Sequence, residues 1–316
     1  MNARRRFLMG MAALVASAAL PAPGLGQKPG SDARGLTFRW LSNAGFELIL
    51  PSGAHVLIDP WLDHSIFPLP VTTLERADYI LLSHTHGDHS DDVGAIQKRF
   101  PNVRIFVGGL SAEPLVKLQN LDVSKIYKVI DDGQEFKFGE VTIKAFAGRH
   151  TEDMRGNRMS WDKQGEATSG SWGTFDMWSY LVTMPDGVEF MVWGGSPSID
   201  QAYKLAGITP DLAAVHISPK QDFSILGDVL RRMNPKVVMP HHYDFWPSIL
   251  TKMPGQSAQF PKEVQPVTPE NVVGKTMPYV ERSLKANGMS ARYFMPEHFA
   301  WYRYDRASGS ILSVRR

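Results

Sequence analysis

Histidine and acidic side chains crowd one short segment of this 316-residue chain. Residues 84–89 read His-Thr-His-Gly-Asp-His, so three imidazoles and a carboxylate lie within six positions. Imidazole and carboxylate groups are ligands of first-row divalent cations. A surface loop that is rich in histidine by chance is the alternative, but this pattern is rare at ordinary residue frequencies. The segment therefore predicts a metal site.

The flanking residues predict how this segment is positioned. The apolar run 79–82 has the character of a strand, and Ser90 is placed to be the N-cap of a helix. On extended backbone the first two histidines point to the same side. The glycine permits a sharp turn, which directs the Asp-His pair to a second position nearby.

Two further histidines follow predicted strands in the same way. His150 comes after strand 141–146, and His242 comes after strand 236–239. If these strands are neighbours, their ends meet at one rim, and three ligands for each cation leave a place for solvent, as in catalytic sites. The residues then sort into two ligand sets: His84, His86 and His150 for one cation, and Asp88, His89 and His242 for a second.

Other polar residues are weaker candidates for a functional role. His216 is expected to be a buried, hydrogen-bonded imidazole, with substrate contact as the alternative, and Asp59 to cap a turn, compatible with a hydrogen bond to a ligand histidine. The remaining candidates are His241, which competes with His242 for the ligand role, His64, which could line the cleft, and His55 and His298, which are expected to be structural or exposed.

The first residues predict export. The run 4–8 fits a twin-arginine pattern and precedes an apolar run, 9–20, that is too short to span a bilayer comfortably. We expect residues 1–26 to be a cleaved signal read by the twin-arginine export machinery, which gives a periplasmic or otherwise exported protein without a stable membrane span. An uncleaved anchor is the alternative. Residues 27–36 are then a linker, and residues 37–316 a single domain.

Composition limits the remaining possibilities. The chain is 43% hydrophobic, and removal of the leader's three arginines from its net charge of +2 leaves −1. We see no basic stripe that would indicate nucleic-acid binding. The chain has no cysteine, so it has no disulfide, no thiolate ligand and no cysteine nucleophile.

The pattern of apolar residues predicts an α+β fold. Hairpins are expected across residues 139–140 and 185–187, and strands and helices alternate after residue 193. This order favours sheets packed on each other with helices outside. Near the ends, we expect a helix at 90–100, a proline-rich surface loop at 253–278, a last helix at 277–287 and strands at 292–294 and 299–304.

Together these pieces resemble the metallo-β-lactamase superfamily and its αββα four-layer sandwich. The segments that carry the resemblance are 57–61, 81–89, 148–150 and 240–244, within a span of about residues 37–250. The first and last are most similar to the branch of the L-ascorbate-6-phosphate lactonases and the N-acyl phosphatidylethanolamine phosphodiesterase. The central motif is specific for the fold rather than for the substrate.

One position departs from the family pattern. In many members an aspartate after the strand at 188–193 bridges two metals, but Gly195 stands there and cannot ligate. Asp200 is the nearest carboxylate and is expected to lie in the next helix. The resemblance therefore implies a weaker second metal site. The polar insertion 151–174 is expected to lie over the cleft, where Trp161 and Trp172 would grip a substrate, or to be a surface elaboration.

The resulting hypothesis is a hydrolase that uses metal-bound hydroxide on a small-molecule ester, lactone, amide or phosphodiester. One or two Zn²⁺ ions are expected, with Mn²⁺ or Fe²⁺ as alternatives. Asp88 would orient the water and shuttle its proton, and His241 or Tyr243 would donate to the oxyanion. The alternatives are an exported β-lactamase and a non-catalytic metal-binding protein of the same fold, which Gly195 favours.

Overall fold

The computed structural model describes residues 35–63, 65–150, 176–219 and 221–314. The strands in these ranges are β1 (Gly35–Ser42), β2 (Gly45–Ile49), β3 (His55–Ile58), β4 (Tyr79–Leu81), β5 (Arg104–Gly108), β6 (Ile126–Val129), β7 (Glu135–Phe138), β8 (Val141–Ala147), β9 (Trp178–Thr183), β10 (Glu189–Trp193), β11 (Leu212–His216), β12 (Val237–His241), β13 (Arg292–Tyr293), β14 (Trp301–Asp305) and β15 (Ser310–Val314). The α-helices are α1 (Gly87–Ser90), α2 (Val93–Arg99), α3 (Ala112–Gln119), α4 (Ile199–Lys204), α5 (Phe223–Met233), α6 (Trp246–Lys252) and α7 (Val272–Ala286).

The strands form two mixed sheets. Sheet one has the order β15-β14-β1-β2-β3-β4-β5-β6, and sheet two has the order β13-β12-β11-β10-β9-β8-β7. Each sheet is antiparallel on one side and parallel on the other. The parallel pairs run from β3 to β6 in sheet one and from β10 to β13 in sheet two.

Apolar side chains fill two layers of core. The larger cluster lies between the sheets, with Phe38 and Phe46 of sheet one and Phe190 of sheet two among its buried members. A second cluster joins the outer face of sheet one to Ile96 of α2 and Leu115 of α3. Helices α4, α5 and α7 cover sheet two. The predicted sandwich of sheets with helices outside is therefore confirmed.

Helix α5 shows how the sequence produces this layering. Its buried residues recur at helical spacing along one stripe, and the opposite face is charged. The Asp222 side chain accepts hydrogen bonds from the backbone N–H groups of Ser224 and Ile225, which caps the helix start. Asn234 ends it in the left-handed conformation.

Both predicted hairpins are confirmed. Phe138 pairs with Val141 across the first turn, and Thr183 pairs with Glu189 across the second. Gly187 has a φ of +82°, which glycine adopts readily.

The predicted start of the helix at Ser90 is wrong. The chain becomes helical immediately after His86, and Ser90 is the last residue of α1, where its hydroxyl donates to the His86 carbonyl oxygen at 3.1 Å. Asp92 then precedes a separate helix, α2. The turn therefore begins inside the histidine segment instead of after it.

Three other stretches of the chain differ from expectation. Strand β1 begins at residue 35, two residues before the predicted strand. Residues 254–259 and 262–264 form 3₁₀ turns, and α7 begins at residue 272 although Pro278 lies inside it. Strand β15 was not predicted, and it extends the edge of sheet one by pairing with β14.

Some predictions fall outside the described residues. They concern the leader 1–26, most of the linker 27–36, His64 and the insertion 151–174 with Trp161 and Trp172. None of the helices in the described part of the chain combines the length and the apolar composition needed to cross a bilayer.

Candidate metal centre

The predicted ligands lie where strand ends of both sheets meet. The loop after β4 and helix α1 carry the histidine segment, whereas His150 follows β8 and His242 follows β12. Strands β10, β11 and β12 end at the same level, since Trp193 pairs with Val215 and His216 pairs with His241. Sheet two therefore delivers its polar residues to the edge at which sheet one delivers the segment 84–89.

The structure brings together both predicted ligand sets. In each set, one possible ligand atom per residue lies within 4.8 Å of those of the other two members. In the first set, His84 Nε2 and His86 Nδ1 are 3.0 Å apart, and the ring centroids of His86 and His150 are 4.5 Å apart. In the second set, Asp88 Oδ2 is 3.7 Å from His89 Nε2 and 3.3 Å from His242 Nε2.

The protonation states of His84 and Asp88 suit the binding of a cation. Burial and the neighbouring imidazoles of His89 and His86 hold the pKa of His84 well below its ordinary value, so this ring is neutral. Burial opposes the charged form of Asp88, but the imidazoles of His89 and His242 outweigh it and lower the pKa of this carboxyl group. Neutral imidazole and ionised carboxylate are the forms that ligate.

Asp59 orients one ligand of each set. Its two carboxylate oxygens accept hydrogen bonds from the Ser83 backbone N–H at 2.7 Å and the Ser83 hydroxyl at 2.6 Å. The His89 Nδ1–H also donates to Asp59, at 2.9 Å, and His84 Nδ1 lies 3.0 Å from the Ser83 hydroxyl oxygen. With both Nδ1 atoms engaged, the Nε2 lone pairs of His84 and His89 are directed into the sets. The donor sets therefore fit divalent cations. The Asp59 side chain bonds to residues 24 and 30 positions away, so the expected turn cap is wrong and the hydrogen bond to a ligand histidine is present.

Two positioning residues were missed by sequence reasoning. The Asn43 side-chain amide donates to Asp88 Oδ2 at 3.1 Å, and the Asn43 backbone carbonyl oxygen accepts the His242 backbone N–H at 3.0 Å. Asp244 in turn accepts the Asn43 backbone N–H and the Ser42 hydroxyl. This chain of hydrogen bonds fixes two members of the second set. The turn between β1 and β2 gives no local signal for it, because the partners are far apart in sequence.

His241 and Tyr243, proposed as oxyanion donors, are not brought to the ligand sets. The His241 ring is buried in the core, where its Nε2–H donates to the Trp193 carbonyl oxygen at 3.3 Å. Tyr243 is 5% exposed and stacks on Trp40. The cause is the left-handed backbone of His242, with φ of +68°, which turns this one side chain out between two that point inward.

The other histidines have identifiable neighbours. The His216 ring centroid lies 4.4 Å from that of His242, and Gln221 ties its backbone to the loop at Gly195. His55 pairs with Glu47 at 2.7 Å, remote from the ligand sets. The His298 Nε2–H donates to Asp244 at 2.9 Å, so His298 holds the carboxylate that accepts the Asn43 backbone N–H.

Gly195 has no room for a side chain. Its φ is +110°, and a Cβ atom there would lie 2.2 Å from the Arg149 carbonyl oxygen and 2.6 Å from Met177 Sδ. A ligating residue at this position would need a different backbone. The departure from the family pattern is therefore built into the local fold, and Asp200 lies in α4, as expected.

Both ligand sets open into one cavity of about 760 Å³. Asp88 and His242 of one set and His86 and His150 of the other line it. His216 also lines it, which makes the substrate contact considered for this residue geometrically feasible. A volume of this size accommodates a small organic molecule.

The buried imidazoles predict a pH-dependent stability of the metal-free chain. Burial, together with neighbouring imidazoles, lowers the pKa values of His84, His216 and His241. These groups stay neutral in the native state but take up protons in the unfolded state below about pH 6.5. Stability is therefore lost as the pH falls from about 7 to 5, by up to about 1.4 kcal/mol per pH unit for each group. The raised pKa of His89 acts in the opposite direction, because burial is outweighed there by Asp88 and Asp59.

Urea unfolding in the presence of a chelator at pH 7.5, 6.5 and 5.5 measures this effect. A His241→Leu variant removes one titrating group and should show a shallower dependence. A free energy of unfolding that does not change across this range would contradict the assignment of neutral buried histidines.

The proteins to which this chain is similar are consistent with the metal site described above. Residues 54–243 match the model of a beta-lactamase superfamily domain. A UPF0173 metal-dependent hydrolase of Archaeoglobus fulgidus is 30% identical over 215 residues, which are 66% of this chain and 84% of the relative. One from Cupriavidus taiwanensis is 25% identical over 75% of this chain and 86% of its own length.

A solved structure shows the same fold. Igni18, a metallo hydrolase from Ignicoccus hospitalis, superposes with a TM-score of 0.55 over 90% of this chain and all of its own, at 14% identity. The matched span 54–243 includes Asp59, the segment 84–89, His150 and His242, and thus both ligand sets. A chain with this sandwich, these paired ligand sets and these relatives belongs to the beta-lactamase superfamily, among its metal-dependent hydrolases.

Proposed function

We propose that this metal-dependent hydrolase cleaves an ester, lactone, amide or phosphodiester bond with a water molecule activated at the paired sets. The observation that carries the proposal is the convergence of six candidate ligands in two sets of three, each of which has two members that line one cavity. A divalent cation, for which Zn²⁺ is our first choice and Mn²⁺ or Fe²⁺ the alternatives, would supply a lowered water pKa and a polarised substrate oxygen.

The chain's own residues would orient the reactants. Asp88 lines the cavity, and its lowered pKa keeps it ionised at neutral pH, so it can accept a hydrogen bond from the attacking water. Asn43 holds this carboxylate in place. His216 is the imidazole on the sheet-two wall that is free of either set and within reach of a substrate. We therefore assign oxyanion contact to His216 in preference to His241 or Tyr243.

An activity panel on stripped and reconstituted protein tests the proposal. The metal-free protein should cleave none of a chromogenic ester, lactone, anilide, phosphodiester and cephalosporin. Addition of Zn²⁺ or Mn²⁺ should restore cleavage of at least one, and turnover of the cephalosporin would favour the β-lactamase alternative. Metal analysis of each sample is the control. Cleavage that persists after verified removal of all metal would refute the mechanism.

A further inference from the structure

The cavity continues away from the ligand sets along an apolar wall. The wall is built from α6, the 3₁₀ turn after it and the segment after β3, through Trp61, Ile66, Phe245, Ile249, Met253 and Phe260. Ile66 and Met253 at its rim are 38% and 50% exposed. Large apolar side chains left in water at the rim of a cavity indicate a ligand surface.

Helix α6 is apolar on two sides. Trp246 and Leu250 are each 2% exposed and pack into the core, which is sufficient to hold the helix in place. Phe245, Ile249 and Met253 recur every four residues and line the cavity, which Trp246 also borders. Phe245 also packs against the edge of the core, but Ile249 and Met253 are not part of the core cluster, so their side chains are available for a ligand.

Charge along the cavity is uneven. Among the described lining residues, Asp88 and the imidazoles lie at the end with the ligand sets, and Lys252 is the one ammonium or guanidinium group. Sites for phosphate-rich ligands use several cationic side chains, above all arginine. The lining therefore favours a ligand whose larger part is uncharged and apolar.

We propose that the substrate is a carboxylic ester or lactone with an apolar acyl, alkyl or aryl group, which lies along Phe245, Ile249 and Met253. This inference rests on the proposed hydrolase function and specifies the substrate of the same site. The scissile carbonyl lies at the ligand sets. The water oxygen bonds to the carbonyl carbon, the bond from that carbon to the alkoxy oxygen breaks, and the alkoxy oxygen takes up a proton, so that an ester releases an alcohol and a lactone opens to a hydroxy acid. Small sugar phosphates are disfavoured because they leave the apolar wall in contact with water.

Two measurements test the proposal independently of each other. In the first, the metal-loaded protein hydrolyses 4-nitrophenyl esters from acetate to decanoate, and kcat/KM should rise about two- to fourfold per methylene until the wall is covered. In the second, calorimetry follows binding of 1-alkanols from butanol to decanol to the metal-free protein. Their Kd should fall by about the same factor per methylene, without any need for catalysis.

Matched variants locate the effect. Ile249→Ser and Met253→Ser should each weaken octanol binding and octanoate ester hydrolysis by about three- to tenfold, with little effect on the acetate ester. Ile199→Ser and Met295→Ser remove the same side chains from exposed positions outside the cavity and should change neither. Circular dichroism establishes that all four variants are folded.

The outcomes separate the two proposals. Ester hydrolysis that requires metal but does not depend on chain length, with equally flat alkanol binding, overturns the apolar substrate and leaves the hydrolase function intact. Chain-length-dependent alkanol binding that the Ile249 variant loses supports the apolar wall, even if no ester is cleaved and the proposed function fails. Chain-length dependence that the control variants lose equally would also overturn this assignment.

Discussion

Alanine in place of His150 or His242 is expected to lower kcat/KM on the order of 10³-fold or more. Each substitution removes one of three protein ligands from a different set, and the activation of water depends on the cation that the set holds. Metal analysis should show reduced content in both variants, and the two reductions should add in the double variant if the sets hold separate ions.

His55→Gln provides the control for this prediction. This histidine is also buried and paired with a carboxylate, but it lies at the start of β3 and away from the cavity. The variant should keep its metal content and its activity. Full activity in the His150 or His242 variant, with the variant shown to be folded, would refute the assignment of that set.

Placing an aspartate at position 195, where the resemblance implies one in many related proteins, is expected to damage the protein instead of strengthening the second set. The Cβ atom would overlap the Arg149 carbonyl oxygen at 2.2 Å, in a backbone conformation with φ of +110° that side chains rarely adopt. We expect Gly195→Asp to lower the free energy of unfolding by about 3 to 5 kcal/mol, since strain and overpacking act together. Urea unfolding measures this loss.

Ser196→Asp is the matched control, because it places the same side chain one residue later, outside the left-handed region. It should cost much less stability than the change at Gly195. If Gly195→Asp is as stable as the parent and binds a second ion more tightly, then the backbone there relaxes easily. Gly195 would in that case not be a fixed feature of the fold.

The ligand sets could be predicted because their signals are local. Four ligands lie in one segment, and His150 and His242 each follow a recognisable strand directly. The sheet topology then brings these strand ends together. Polar residues next to strand ends are thus informative even without knowledge of the pairing.

The supporting residues could not be predicted in the same way. Asn43 and Asp244 are 201 positions apart, and neither residue type distinguishes a positioning role from an ordinary turn. His241 and Tyr243 were misplaced because they were chosen as neighbours of His242 in sequence, whereas the left-handed backbone of His242 turns its side chain away from theirs. A single backbone conformation therefore decided which of three consecutive side chains reaches the cavity.

The residues at which helices begin were also difficult to predict from the sequence. Ser90 has the chemistry of an N-cap, but the backbone becomes helical three residues earlier, where the ligand segment itself turns. The proline-rich composition of residues 253–278 suggested a loop followed by a helix from residue 277, although α7 begins at residue 272 and continues through Pro278. Tertiary packing of Val272 and Thr276 overrides the local preference there.

Each ligand set takes members from both halves of the sandwich: His150 and His242 come from one sheet, and their partners come from the other. An ion bound in either set would thus link the two sheets at this edge of the molecule. Occupancy would then contribute to cohesion as well as to chemistry, and each tenfold excess of free ion over its Kd would add about 1.4 kcal/mol to the free energy of unfolding. Loss of the metal would therefore abolish activity and also lower the free energy of unfolding.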